Sequence, residues 1–269
     1  MVRHYHSRYH FSYRISAKHH FYSNVVVLLA VALVMLVIFR FFAPARLVEL
    51  SRPSYFDLAL AGFNTLFRLV VAYILALTLA VPLVLLTTLS PRLEKILLPV
   101  YDILQSIPVL AFFPAIVLVF INLNMYDGAA IFVLLVAMVW NLVFSMVGGL
   151  KTVPVDINAA AAIFGARGLR KLWFVSLPSI FPYLVTGSLL AWGQAWAIII
   201  VAEGIHNYIP NGIPSQDLFG LGSLLANSAY QGNLSLFLVS LLVLIMLISL
   251  LNLLVWQKLL HLSERYRFD

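Results

Sequence analysis

Six stretches of this chain run for about 18 residues or more with almost no charge, which is the length a helix needs to cross a bilayer core. They are Val25 to Phe42, Leu58 to Leu89, Ile96 to about Leu123, Ala129 to Leu150, Leu177 to Val201 and Leu234 to Trp256. Backbone polar groups in hydrocarbon must find partners within their own segment, so runs of this kind form helices. The expected fold class is an all-α integral membrane protein with about six transmembrane helices. Composition agrees, since 63% of the 269 residues are hydrophobic and 10% are charged, with a mean hydropathy of +1.00. A water-soluble surface cannot be built from that balance. Pro99, Pro108 and Pro114 fall inside the third run and predict kinks or breaks there.

The placement of the 17 Lys and Arg residues sets the orientation, because basic residues in short loops stay cytoplasmic. With the N-terminus inside, the inner segments hold Arg3, Arg8, Arg14, Lys18, Arg92, Lys95, Lys151, Arg167, Arg170, Lys171, Lys258, Arg265 and Arg267. Only Arg40, Arg46 and Arg52 fall outside, and Arg68 lies within a span. Both termini are therefore expected in the cytoplasm. The organisation reads as a basic, aromatic tail or amphipathic elbow over 1–23, a first transmembrane helix over 24–42, a core over 58–257 holding helices two to six, and a cytoplasmic tail over 258–269. The first run is longer than a signal-peptide core, and Ala43-Pro44-Ala45 carries proline where cleavage would fall, so the helix is read as uncleaved. Basic residues scattered between apolar runs do not make a nucleic-acid surface. His4, His6, His10, His19 and His20 match no ligand spacing, and with no cysteine in the chain no metal site is expected.

The inner connection 151–176 is too long and too patterned for a plain linker. Asp156 is a good helix N-cap after Pro154, and Ile157, Ala160, Ala161 and Phe164 share one face of the Ala-rich segment that follows. Gly165 supplies a helix stop. A second amphipathic segment sets Leu169, Leu172 and Trp173 against Arg167, Arg170 and Lys171, before Pro178 opens the fifth span as a first-turn proline. Two short helices joined at a glycine make a compact knob with an Ala face small enough to enter a partner's groove.

Ala160-Ala161, three residues, Gly165, nine residues, Val175, one residue and Leu177-Pro178 resemble the EAA loop of ABC importer permeases. The leading Glu of that loop falls on Ala159 here, and Val175 stands where Ile is usual. The likeness runs from about Thr65 to Glu203. Thr65-Leu66-Phe67-Arg68, Gln105-Ser106-Ile107-Pro108, Ala195-Trp196-Ala197 and Val201-Ala202-Glu203 resemble the branch that carries nitrate, sulfonates, taurine and bicarbonate. The resemblance implies a type I ABC importer permease fold in the prokaryotic cytoplasmic (inner) membrane. It also implies a second permease subunit, either a copy or a related chain, two cytoplasmic ABC ATPase subunits, an extracytoplasmic solute-binding protein and contact with membrane lipid. ATP and Mg would sit in the ATPase, leaving this chain without a cofactor and without catalysis. Under that reading Asp156, Ala160, Ala161, Gly165, Ala166, Arg167, Arg170, Lys171 and Pro178 form the ATPase-coupling element. For the three basic residues, orientation and lipid attraction are an equal alternative.

The expected translocation pathway is Arg68, Gln105, Asn141, Gln194, Trp196 and Glu203. Charges at membrane depth face partners or water, so Arg68 and Glu203 form either a structural ion pair or direct solute contacts, with Arg68 the attractive charge for an anion. The proline beside Gln105 and Ser106 frees backbone groups that a water-lined path can satisfy. For the tryptophans, interface and core positions are the default, and for the four-residue repeats Ala72, Ala76, Ala80 and Gly187, Ala191, Ala195 it is close helix packing. A secondary transporter or channel would show inverted repeats, and a membrane enzyme acting on lipid would show clustered acids or histidines. Neither pattern is present, and no P-loop glycine run occurs. Segment 204–233, rich in Asn, Gly and Pro, reads as a re-entrant or docking loop.

Overall fold

The computed structural model describes residues 55–88, 90–165, 176–209, 211–212 and 216–266. The tail, the histidines within it and the first predicted span lie outside these residues. The described chain begins with α1, Tyr55–Thr88, a helix whose apolar composition runs through Pro82 without a break. Ser90 then caps α2, Pro91–Ser106, by accepting from the Leu93 N–H at 3.2 Å, with Pro91 in the first turn. Both features satisfy or remove N–H groups that a helix start leaves without partners.

The third predicted run is two helices. After α2 the backbone extends at Ile107 (φ −73°, ψ 120°), and α3, Val109–Asn122, departs at 78°. Pro108 is responsible, since its ring pushes the preceding residue out of the helical region. Pro99 and Pro114 sit inside α2 and α3, so of three expected interruptions one breaks the span. A single lost N–H bond is tolerated in a membrane helix.

The central element is α4, Tyr126–Lys151, packed against α1 and against α6, Leu177–Glu203. Its contacts require small side chains. Ala72, Ala76, Ala80, Ala191 and Ala195 are all completely buried, and a Cβ on Gly187 would meet Ser145 Cβ at 2.6 Å and the Asn141 carbonyl at 3.0 Å. The small-residue repeats are therefore packing surfaces, as their spacing predicts. A ring cluster fills the space beside them. Trp192 lies 5.8 Å from Tyr73, 6.0 Å from Trp196 and 5.9 Å from Trp256. Tyr73 donates to Ser188 Oγ at 2.7 Å, whose own hydroxyl donates to the Leu184 carbonyl.

Between α4 and α6 lies α5, Val155–Ile163. Beyond α6, a short 3-10 turn at Ile205–Tyr208 leads to α7, Leu221–Tyr230, whose Leu221 and Leu225 pack with Ala61 and Leu244. The stretch read as a re-entrant or docking loop thus contains a helix seated against α1, α6 and the next span. That span opens with α8, Leu234–Leu251, and continues through a π turn into α9, Gln257–Ser263. Among the described residues four helical stretches are long and apolar enough to cross a membrane, and the bent pair adds a fifth if it is one span.

Candidate functional site

Three groups of residues carry the possible chemistry, and α4 relates them. Its first turn holds Asp127, its middle holds Asn141 and its last turn holds Lys151. From Asp127 to Asn141 the helix rises about 21 Å, and from Asn141 to Lys151 about 15 Å.

At the Asp127 end, Arg68 bonds through Nε and Nη1. Its Nη1 donates to Glu203 Oε1 at 2.8 Å and to the Phe219 carbonyl at 3.2 Å, and its Nε donates to Asp127 Oδ1 at 2.6 Å. The Glu203 side chain is 0% exposed, whereas that of Asp127 is 61% exposed. Glu203 also accepts from Thr65 Oγ1 at 2.8 Å and from the Gly222 N–H at 2.7 Å, with the Ser223 N–H at 3.4 Å. Thr65 Oγ1 in turn accepts from the Leu221 N–H at 2.8 Å. The first turn of α7 therefore has its free N–H groups met by side chains of α1 and α6, in the position normally served by a capping residue of the helix itself. Gly220 and Gly222 make this approach possible. A Cβ on Gly220 would collide with the Glu203 carboxylate, and one on Gly222 would sit 2.6 Å from the Ile199 carbonyl. Arg68 and Glu203 form an ion pair. Asp127, Phe219 and the Gly220-Leu221-Gly222 turn were not foreseen; the Gly-x-Gly spacing was the available signal.

The second group lies midway along α4. Gln105, Ser106 and Val109 at the α2–α3 break, Trp140 and Asn141 from α4, and Gln194 from α6 line a cavity of about 260 Å³. Three predicted pathway residues from three separate segments, Gln105, Asn141 and Gln194, thus meet at one space. Trp196 instead packs in the ring cluster, and Arg68 and Glu203 belong to the clamp. Asn141 donates to the Ala137 carbonyl at 3.3 Å and Ser106 to the Asp102 carbonyl at 2.8 Å. Among the described residues Gln105 and Gln194 have no hydrogen-bond partner.

The third group is the connection after Lys151, which itself pairs with Glu94 at 2.9 Å. Asp156 lies in the first turn of α5, one position inside the helix instead of capping it. Gly165 adopts φ +69°, the left-handed stop expected of it. Ala161 is buried, Ala160 is exposed, and Ile163 and Phe164 are 83% and 86% exposed. The helix assignment ends at Ile163, and the Phe164 N–H still donates to the Ala160 carbonyl at 3.0 Å. Pro178 stands in the first turn of α6. Ala166, Arg167, Arg170 and Lys171 lie outside the described residues.

The described residues thus form a helical bundle of apolar candidate membrane spans with a proline-broken helix and a polar space midway along α4. The model of the family described as binding-protein-dependent transport system inner membrane component matches residues 72–266, and the chain belongs to that family. It is thus a permease component and not a catalytic one. The nitrate import permease protein NrtB of Leptolyngbya laminosa is 28% identical over 156 residues, covering 58% of this chain and 55% of that protein. The bicarbonate transport system permease protein CmpB of Synechococcus elongatus is 28% identical over 169 residues, covering 63% and 56%. The taurine transport system permease protein TauC of Escherichia coli is 29% identical over 139 residues, covering 52% and 50%. The chain spans about half the length of these curated relatives. A chain of the MetNI methionine ABC transporter, solved in inward-facing conformations, superposes with a TM-score of 0.64 at 17% identity, covering 80% of this chain and 99% of that one. This likeness establishes a shared fold.

Proposed function

We propose that this chain is the permease subunit of an ATP-driven importer and forms the path for a small anion such as nitrate, a sulfonate or bicarbonate. Two such permeases, identical or related, would work with two cytoplasmic ATPase subunits and a solute-binding protein on the far side of the bilayer. The element carrying this reading is the connection between α4 and α6. A nine-residue helix closed by a left-handed glycine, with Ile163 and Phe164 facing outward, is suited to insertion into a partner. Large apolar side chains so exposed on a polar loop are the usual mark of a protein contact. The motif spacing and relatives that import nitrate, bicarbonate and taurine support the assignment. In this arrangement the termini and segment 151–176 are cytoplasmic, and the Arg68 clamp lies toward the outside. ATP hydrolysis and its Mg ion belong to the partner. Nucleotide-driven closure of the ATPase pair would move the docked loops and switch the spans between two facing states.

Copurification with the cognate ATPase tests the proposal. Gly165→Asp and the pair Ile163→Glu/Phe164→Glu should each lose ATPase capture while remaining membrane-inserted. Undiminished capture and coupled ATPase activity in both would refute the docking assignment.

A further inference from the structure

We propose that the cavity at the α2–α3 break is a solute-binding station that admits singly charged oxyanions and excludes dianions because it offers donors without a fixed countercharge. The inference rests on the anion-import reading and adds a selectivity rule to it. Among the described residues the lining contains no Lys, Arg, Asp or Glu. Arg68, the attractive charge expected from the sequence, pairs with Glu203 and Asp127. What remains as donors are the carboxamides of Gln105, Asn141 and Gln194, since the Ser106 O–H is already given to the Asp102 carbonyl. Each carboxamide carries two N–H donors, and those of Gln105 and Gln194 have no partner among the described residues. The dipoles of the two helix ends at the break oppose one another there, so the side chains supply the recognition.

Charge decides which ion such a site accepts. The cost of removing an ion from water rises as the square of its charge, while its attraction to fixed dipoles rises only linearly. A dianion therefore faces about four times the desolvation for about twice the return. The space equals roughly eight or nine water volumes, so a small oxyanion enters with part of its hydration and needs only a few donors from the wall. Without a cation the site also stays weak, and a transport pathway requires binding that permits release.

The absence of cysteine gives a direct assay. Ala137→Cys provides one thiol in the lining on this chain, within the assembled transporter in lipid nanodiscs and with the three carboxamides intact, and Val136→Cys provides a second, independent reporter. The rate of modification by a methanethiosulfonate is read on this chain with nitrate, methanesulfonate or sulfate added at equal concentration against gluconate. Nitrate and methanesulfonate should slow labelling several-fold, whereas sulfate should leave it unchanged. Adding Asn141→Asp should abolish the protection, and Asn141→Lys should extend it to sulfate. Equal or better protection by sulfate, protection by no anion at either thiol, or protection that survives Asn141→Asp would overturn the proposal. ATPase copurification is measured on the same samples. Its loss would implicate the importer reading, whereas intact assembly with the wrong anion pattern rejects the selectivity rule alone.

Discussion

Replacing Glu203 with Gln changes one atom, yet the clamp geometry makes it a severe substitution. The two Glu203 oxygens receive donors only, with Thr65 and Arg68 on Oε1 and the Gly222 and Ser223 N–H groups on Oε2. A carboxamide has one oxygen, so either orientation sets its NH2 against donors. Arg68, itself buried, would keep only the solvent-facing Asp127 as a charged partner. Breaking a buried pair from one side costs about 3 to 5 kcal/mol, much of it from the charge left behind. Arg68→Met leaves Glu203 comparably stranded and should cost a similar amount. In the double variant Arg68→Met/Glu203→Gln, the carboxamide oxygen can serve Gly222 while its NH2 turns toward space Arg68 has vacated. The double variant should therefore recover about 2 kcal/mol or more of the summed loss. Reversible unfolding in mixed micelles, followed by tryptophan fluorescence, measures the three variants in one cycle. Single losses below about 1 kcal/mol, or strict additivity, would refute the clamp as a coupled unit.

Gly222→Ala should destabilise by about 1 to 3 kcal/mol, because the nearest obstacle is a backbone carbonyl that cannot rotate away. Gly148→Ala is the matched contrast in the same unfolding assay; nothing lies within 4 Å of its added carbon, and it should be neutral or stabilising by up to about 1 kcal/mol. Phe164→Glu should leave unfolding within about 0.5 kcal/mol of the parent, since the side chain is exposed, yet reduce ATPase capture in a pull-down. Equal loss of both would assign Phe164 to the fold. Asp217→Asn should cost about 1 to 3 kcal/mol in thermal stability, because Asp217 accepts from the His206 N–H at 2.9 Å, from Asn227 at 2.9 Å, and bonds the His206 ring. An unchanged melting temperature would show that this clasp contributes nothing.

Leu58 to Leu89 and Leu177 to Val201 were legible as spans to within a few residues at each end, because in hydrocarbon a helix is the local answer for any uncharged run of that length. Ile107-Pro108 announced its break by the same kind of local rule, while Pro99 and Pro114 did not break anything, since neighbouring packing decides whether a lost bond bends a helix.

Apolar run length, a property of residues close together in the chain, sufficed for a helical protein with membrane-length spans, and the Ala-Ala/Gly/Leu-Pro spacing pointed to its family. Which polar groups meet was settled only by tertiary contact. Arg68, Asp127, Glu203 and Phe219 converge across gaps of 59 to 151 residues, and Gln105, Asn141 and Gln194 come together across three segments. A charge or an amide in an apolar run must find a partner, but the sequence pattern does not say which one. That choice follows from helix rotation and from the close approaches that residues such as Gly187, Ala191 and Gly222 permit.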